Sequence, residues 1–259
     1  MSQTRPVALI TGGAKGIGAA CAEMLALSGF NVLLSYVNSK DSAGEIVSKC
    51  RLHECEAECI RSDVSVDSEC SLMVERAIDL WGRIDVLVNN AGITRFADSA
   101  DLSTLGAKDF EDIFSVNVTG MYQMIRATSV HLKHSPVASI VNLSSHSGIS
   151  GVGSSMAYAA SKGAINTLTL SLARSLAPKI RVNAVCPGFV DTDWMKPSMD
   201  DQALQKFKQT VLQIAPLKRL VSATEVAEAV GWFALGGKSI TGQLLVIDGG
   251  THLTVGNPV

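Results

Sequence analysis

Val7-Ala8-Leu9-Ile10-Thr11-Gly12-Gly13-Ala14-Lys15-Gly16-Ile17-Gly18 is the stretch that decides the fold. Val7 to Ile10 is a short apolar run and reads as a buried strand. The glycines follow without a linker, and the helical stretch Ala19 to Leu27 comes next. Strand, glycine turn and helix in that order form a dinucleotide-binding unit. Gly12 permits the tight turn, Gly16 lets backbone approach a pyrophosphate, and Gly18 lets helix and strand pack closely. The helix N-terminus then offers free N–H groups and a positive dipole end to phosphate. The spacing is Gly-x-x-x-Gly-x-Gly rather than the commoner Gly-x-Gly-x-x-Gly.

Outward from this loop, strand-like runs recur at Val7–Thr11, Asn31–Tyr36, Ala57–Ile60, Val86–Asn89, Ala138–Leu143, Ile180–Cys186 and Leu244–Ile247, separated by helix-length segments. The alternation predicts an α/β fold, a doubly wound parallel sheet of about seven strands with helices on both faces. Runs such as Val86-Leu87-Val88 suit strands covered on both sides. With 259 residues and 47% hydrophobic content, the chain suits a single Rossmann-like domain over 1–259. Phe189 to Ala215 is the least regular region.

A net charge of −2 gives no attraction to nucleic acid or an anionic membrane. Apolar stretches are strand-length, and Met1 to Arg5 leads straight into the first strand, which leaves no room for a signal peptide. A cytoplasmic protein is expected. Cys50, Cys55, Cys59 and Cys70 cluster in sequence with His53 but form no Cys-x-x-Cys pair, so no metal site is expected and the thiols read as free. Cys21 and Cys186 read as small core residues.

Tyr158 and Lys162 are four residues apart, about one helical turn, and share a helix face. An adjacent cation favours a phenolate, and a tyrosine so tuned exchanges protons with an alcohol or carbonyl oxygen. Ser145 lies thirteen residues before the tyrosine.

The glycine loop, Asn89-Asn90-Ala91-Gly92, Asn117, Ser145, Tyr158, Lys162, Pro187-Gly188 with Thr192, Thr241-Gly242-Gln243 and Asp248-Gly249-Gly250 fall in this order along the chain. In this the sequence resembles the short-chain dehydrogenase/reductase family over almost its whole length. Ala215-Pro216-Leu217-Lys218-Arg219-Leu220 and Pro187 to Asp193 look most like bacterial 3-oxoacyl-carrier-protein reductases, though reductases of other substrates share both. The resemblance implies that Tyr158 is the general acid in reduction and the general base in oxidation. Lys162 would lower its pKa and bind ribose hydroxyls. Ser145 would hold the substrate oxygen, and Asn117 would steady the helix and a proton-relaying water. Ser144 would be structural, and His146 either lines the substrate pocket or faces solvent.

For the cofactor, the resemblance implies contacts from Gly12, Lys15, Gly16, Ile17 and Gly18 on the phosphates, and from Tyr36, Asn38, Ser39, Asp63 and Val64 at the adenosine end. Asn90, Ala91 and Gly92 would serve the ribose side. Pro187, Gly188, Val190 and Thr192 would serve the nicotinamide or pyrophosphate. The second strand closes with no carboxylate at its tip, and Lys15 places a cation near the same end. NADPH is therefore expected over NADH, unless Lys15 is merely solvated and Tyr36 only stacks on adenine.

The resemblance also implies a substrate lid at about 189–215. Asp109–His134 and Ser155–Pro178 would be long helices that pair between subunits in a homotetramer. The expected activity is reduction of a carbonyl, a 3-oxoacyl thioester or other small ketone. Acyl carrier protein is a possible partner, through Arg126, Lys133, Arg174 and Lys179. The alternatives are an alcohol, sugar or steroid dehydrogenase running oxidatively, and a non-catalytic dinucleotide sensor on the same fold.

Overall fold

The computed structural model describes residues 5–196 and 198–254, so the expectation for the chain's first residues lies mostly outside the described part. Seven strands form one parallel sheet in the order β3-β2-β1-β4-β5-β6-β7. They are β1 (Val7–Ile10), β2 (Asn31–Tyr36), β3 (Ala57–Arg61), β4 (Val86–Asn89), β5 (Ser139–Leu143), β6 (Arg181–Pro187) and β7 (Leu244–Ile247). Each expected strand is present, with ends displaced by at most one residue. Leu9 is paired with Leu33 on one side and Leu87 on the other.

The central strands β1, β4 and β5 are buried at every position because both faces of the sheet are covered, and most of their residues are apolar. Ala8 and Ile10 pack with α1 (Gly16–Leu27), α2 (Lys40–Arg51) and α9 (Ala223–Leu235). Val7 and Leu9 face the opposite way, with α3 (Asp67–Trp81), α5 (Met121–Leu132) and α7 (Met156–Leu176). This is the period-two alternation of a strand divided between two cores. The chain runs outward from β1 to β3 and then resumes at β4 on the other side of β1. The connections leaving β1 and β4 therefore diverge, and a crevice opens above them where ligands bind in such sheets.

Two helical regions depart from the sequence reading. The expected continuous helix Asp109–His134 is α4 (Ala107–Phe114), a π-helical turn at Ser115–Gly120, and then α5. Gly120 sits against β3's outgoing loop, where a Cβ would come 2.6 Å from a Val64 side-chain carbon and 2.9 Å from its carbonyl. Phe189–Ala215, expected to be irregular, contains a 3-10 turn at Asp193–Met195 and the helix α8 (Asp201–Ile214). Asp200 caps α8 by accepting from Ala203 N at 2.7 Å. The short helix α6 (Ser147–Ser150) completes the set.

Candidate active site

The glycine loop lines the crevice and adopts the conformations its sequence requires. Gly12 and Gly16 have φ of +64° and +54°, in the left-handed region. A Cβ on Gly18 would lie 2.4 Å from both Asn90 Nδ2 and the Gly12 carbonyl, so this glycine lets the helix start approach the loop. The loop is braced from β4. Asn90 Nδ2 donates to the Thr11 and Gly12 carbonyls at 3.0 and 2.9 Å, and the Asn90 and Ala91 N–H groups both donate to Thr11 Oγ1 at 3.0 Å. The Asn90 amide nitrogen thus holds the loop from two carbonyls. Ile17 is half-buried, and Lys15 is exposed at the N-cap of α1, whose first turn has no acid and no side-chain cap.

Directly beside the loop, where Gly13 N donates to the Ser35 carbonyl at 2.9 Å, Tyr36 is half-buried at the end of β2, with Asn38 exposed beyond it. Ser39 is the N-cap of α2 but makes no side-chain cap bond. The first carboxylate after β2 is Asp41, in the first turn of α2. Asp63 Oδ1 accepts from Ser65 N and Oγ at 3.0 and 2.7 Å, and Val64 is buried beside it. Two side chains singled out by no sequence signal support this end. Glu69 Oε2 accepts from Asp63 N at 2.7 Å, and Gln123 Nε2 donates to the Val64 carbonyl at 2.7 Å.

The reacting end is built by β5, the π turn and α7. Ser155 caps α7 by accepting from Tyr158 N at 3.2 Å, which fixes the helix start one turn before the catalytic candidates. Lys162 Nζ lies 5.4 Å from the Tyr158 ring centroid and donates to the Leu143 carbonyl at 2.8 Å. Asn117 Oδ1 accepts from Ile93 N at 2.8 Å, and its Nδ2 donates to the Ile93 carbonyl and to Ser161 Oγ, both at 3.0 Å. Ser161 Oγ in turn donates to the Tyr158 carbonyl at 2.7 Å. A Cβ on Gly92 would sit 3.3 Å from Asn117 Oδ1 and 3.7 Å from Lys162 Nζ, so Gly92 gives these side chains their approach. Ser145 Oγ donates to Ser147 Oγ at 3.1 Å, while Ser144 Oγ turns away to the Lys162 carbonyl at 3.2 Å.

Burial reverses one electrostatic expectation. The Tyr158 phenol is not held below its ordinary value by Lys162. Burial pushes it up to about 12, against a lowering hydrogen bond with Ser145. The same burial brings Lys162 down to about 8, with a small opposing contribution from Cys186. An ammonium and a phenol withdrawn from water together both favour their neutral forms.

The remaining candidates close the site. Gly188 N donates to the Ile247 carbonyl at 2.9 Å, and a Cβ there would meet Asp248 Cβ at 2.5 Å, so Pro187-Gly188 lies tight against the end of β7. Val190 is buried and bridges to Val221. Thr192 borders the glycine loop, with its methyl 3.6 Å from where a Gly16 Cβ would be. Trp194, in the turn just beyond, has its ring 6.2 Å from that of Tyr158. Among the described residues no three His, Cys, Asp or Glu side chains come together as a metal site, and the six cysteines are free. No described helix is long and apolar enough to cross a membrane. Sequence reading missed Gly13, where a Cβ would stand 2.6 Å from Leu34 Cβ across the sheet.

The chain is similar to known proteins over nearly its whole length. The family model described as Enoyl-(Acyl carrier protein) reductase, of the short-chain alcohol dehydrogenase type, matches residues 12–252. A granaticin polyketide synthase ketoacyl reductase of Streptomyces violaceoruber, provisionally so named, is 37% identical over 96% of each chain. The 3-oxoacyl-acyl-carrier-protein reductase FabG of Staphylococcus epidermidis is 34% identical over 95% of this chain and 98% of its own. A solved structure from Burkholderia xenovorans, provisionally assigned as a short-chain dehydrogenase/reductase, superposes with a TM-score of 0.89 at 40% identity, covering 98% of this chain and 100% of the other. The chain therefore belongs to the short-chain dehydrogenase/reductase family and is an oxidoreductase of carbonyl and alcohol groups.

Proposed function

We propose that the protein is an NADPH-dependent carbonyl reductase acting on a 3-oxoacyl thioester or a related small ketone. The observation that supports this reading is the grouping of Tyr158, Lys162, Asn117 and Ser145 at one site, with Lys162 Nζ 5.4 Å from the Tyr158 ring centre and Asn117 tied to Ser161 in the same helix. A buried, protonated phenol there can give its proton to a carbonyl oxygen. The reductive direction is supported by relatives named as ketoacyl and 3-oxoacyl-carrier-protein reductases. The crevice fits a dinucleotide, since Gly12 and Gly16 take backbone conformations that keep side chains out of it and α1 opens it with an uncapped N-terminus.

Gly12, Lys15, Gly16, Ile17 and Gly18 would hold the phosphates. Tyr36, Asn38, Ser39, Asp63 and Val64 would hold the adenosine end, and Asn90, Ala91, Gly92, Pro187, Gly188, Val190 and Thr192 the nicotinamide half. When bound, the nicotinamide supplies the hydride. Tyr158 gives its proton to the substrate oxygen as Ser145 donates a hydrogen bond to the same atom, where charge develops. Lys162 holds a positive charge beside the phenol and near the ribose position. Asn117 is a positioning residue, since its bonds to Ile93 and Ser161 tie the π turn to α7. NADPH is favoured because β2 closes on Tyr36, Val37, Asn38 and Ser39 without a carboxylate, while Lys15 stands exposed at the loop.

The domain reading is a single unit over 1–259, with about 189–215 as the wall over the substrate. Acyl carrier protein is the proposed macromolecular partner, since Arg126, Lys133, Arg174 and Lys179 are all exposed on or just after α5 and α7. A homotetramer is the proposed assembly, in keeping with the exposed Phe110, Tyr122, Val130, Met156 and Leu170 on the helices expected to pair. The test is NADPH oxidation against acetoacetyl thioesters, ketones, diketones and quinones. Tyr158→Phe should retain NADPH binding and lose turnover by roughly 10²–10⁴-fold. Turnover close to wild type in that variant would remove Tyr158 from the mechanism.

A further inference from the structure

The turn at 192–195 runs across the crevice from its phosphate side to its reacting side. Thr192 lies against the glycine loop, its Cγ2 and Cβ 3.6 and 3.8 Å from where a Gly16 Cβ would stand. Asp193 is paired with Lys196 at 2.8 Å. Its carboxylate is held below the usual range first by that ammonium and, more weakly, by Lys15 of the glycine loop. Trp194 reaches the other side, its ring centre 6.2 Å from that of Tyr158. The same short turn thus touches the phosphate loop and the proton donor, and it passes over the place where a nicotinamide and a carbonyl must meet between them.

The chain on either side of this turn is anchored. Asp191 N donates to the Val221 carbonyl at 3.0 Å, and Asp191 Oδ1 pairs with Lys208 of α8 at 2.6 Å. Phe189 and Phe207 meet edge to face with ring centres 5.2 Å apart, which fastens α8 to the segment leaving β6. Within the turn, Thr192 Oγ1 accepts from Trp194 N at 3.4 Å. The backbone that carries the indole is therefore held in place over the reacting end.

The indole itself is open to a ligand. Trp194 keeps 42% of its surface exposed. Its ring is tilted by 48° to the phenol, so the two are not stacked face on face. A substrate oxygen bonded to the Tyr158 hydroxyl lies roughly 5–6 Å from the centre of the phenol ring, about as far out as the indole. The groups attached to that carbonyl then come within reach of the indole face. Large apolar side chains left open beside a few polar groups are how small-molecule pockets select the body of a ligand.

We propose that Trp194 is a specificity-determining residue, its indole face receiving a flat aromatic group carried near the reacting carbonyl of the substrate. Ketones bearing an aromatic ring are then preferred over ketones of equal size bearing a saturated ring, because only the flat ring can pack against the indole in an offset or edge-on aromatic pair. This rests on the reductase reading and goes beyond it by naming the group attached to the carbonyl.

The experiment measures kcat and KM with NADPH for 4-phenyl-2-butanone and 4-cyclohexyl-2-butanone in wild type, Trp194→Leu and Trp194→Phe. The two ketones have equal carbon counts and identical surroundings at the carbonyl, so their ratio of kcat/KM reads the ring alone. The expected result is a wild-type preference for the phenyl ketone that falls about fivefold in Trp194→Leu, through KM, the scale of one aromatic contact. Trp194→Phe keeps an aromatic face and should retain most of the preference. An unchanged ratio in Trp194→Leu, or equal losses on both ketones, overturns the assignment while leaving the reductase reading in place. Absence of wild-type turnover on every carbonyl overturns the reductase reading and the assignment with it.

Discussion

Lys162 Nζ stands 5.4 Å from the centre of the Tyr158 ring while its hydrogen bond goes to the Leu143 carbonyl, not to the phenol oxygen. The two groups are paired across the face of the ring, and both are withdrawn from water. The pair is therefore poised asymmetrically, with Tyr158 at about 12 and Lys162 at about 8.

A lysine brought down to about 8 loses its charge as the pH rises through that value. NADPH affinity should therefore weaken above pH 8, by up to about tenfold per pH unit. Fluorescence titration between pH 6.5 and 9.5 checks this, and Lys162→Met should flatten the profile. The same alkaline weakening in the variant would assign it to another group.

Lys15 is exposed at the mouth of the glycine loop, and β2 ends without a carboxylate. Lys15→Glu should cost NADPH about tenfold or more in kcat/KM and NADH much less, because only NADPH carries the 2′-phosphate. Steady-state kinetics with both cofactors decides it, and equal losses would separate Lys15 from cofactor choice.

Gly18→Ala would place a methyl 2.4 Å from Asn90 Nδ2 and from the Gly12 carbonyl. The brace from β4 must then move, at about 1–3 kcal/mol. Thermal unfolding and NADPH titration should both show the loss. An unchanged melting temperature with full affinity would mean that the loop yields freely.

Burial raises Cys21 and Cys50 to about 12, and Cys70 and Cys186 to about 11, from 9.0. The folded protein holds these protons more tightly than the unfolded chain. Their contribution is complete below pH 9 and is lost as the pH climbs towards 11–12. Lys162, shifted downward, works in the opposite sense between about 8 and 10.5, but it is one group against four. Urea midpoints should fall between pH 8 and 10.5. Cys21→Ala should remove about 2 kcal/mol of that fall. A midpoint independent of pH over this range would contradict the thiol assignment.

Most of the sheet was legible because parallel strands covered on both faces read as near-continuous apolar runs, as Val86-Leu87-Val88 does. The glycine loop was legible because its glycines answer local backbone needs at Gly12 and Gly16. What escaped depended on partners distant in sequence. Gly13 is required by Leu34 across the sheet, and Gln123 reaches Val64 from another helix. The upward displacement of Tyr158 was hidden for the same reason, because spacing reveals the nearby ammonium but not the desolvation that outweighs it. The helix α8 was masked by the irregular residues before it.

The wide turn at Ser115–Gly120 sets an angular phase. An α-helix turns about 100° with each residue, so a turn holding one extra residue rotates everything after it by that angle. Asn117 can then be seated at Ile93 while Met124, Ile125 and Leu132 further along are still delivered to the core. An unbroken helix of this sequence would satisfy one of these demands and misalign the other. Deleting one residue from the turn would cost a single side chain and yet put the site and the core out of step.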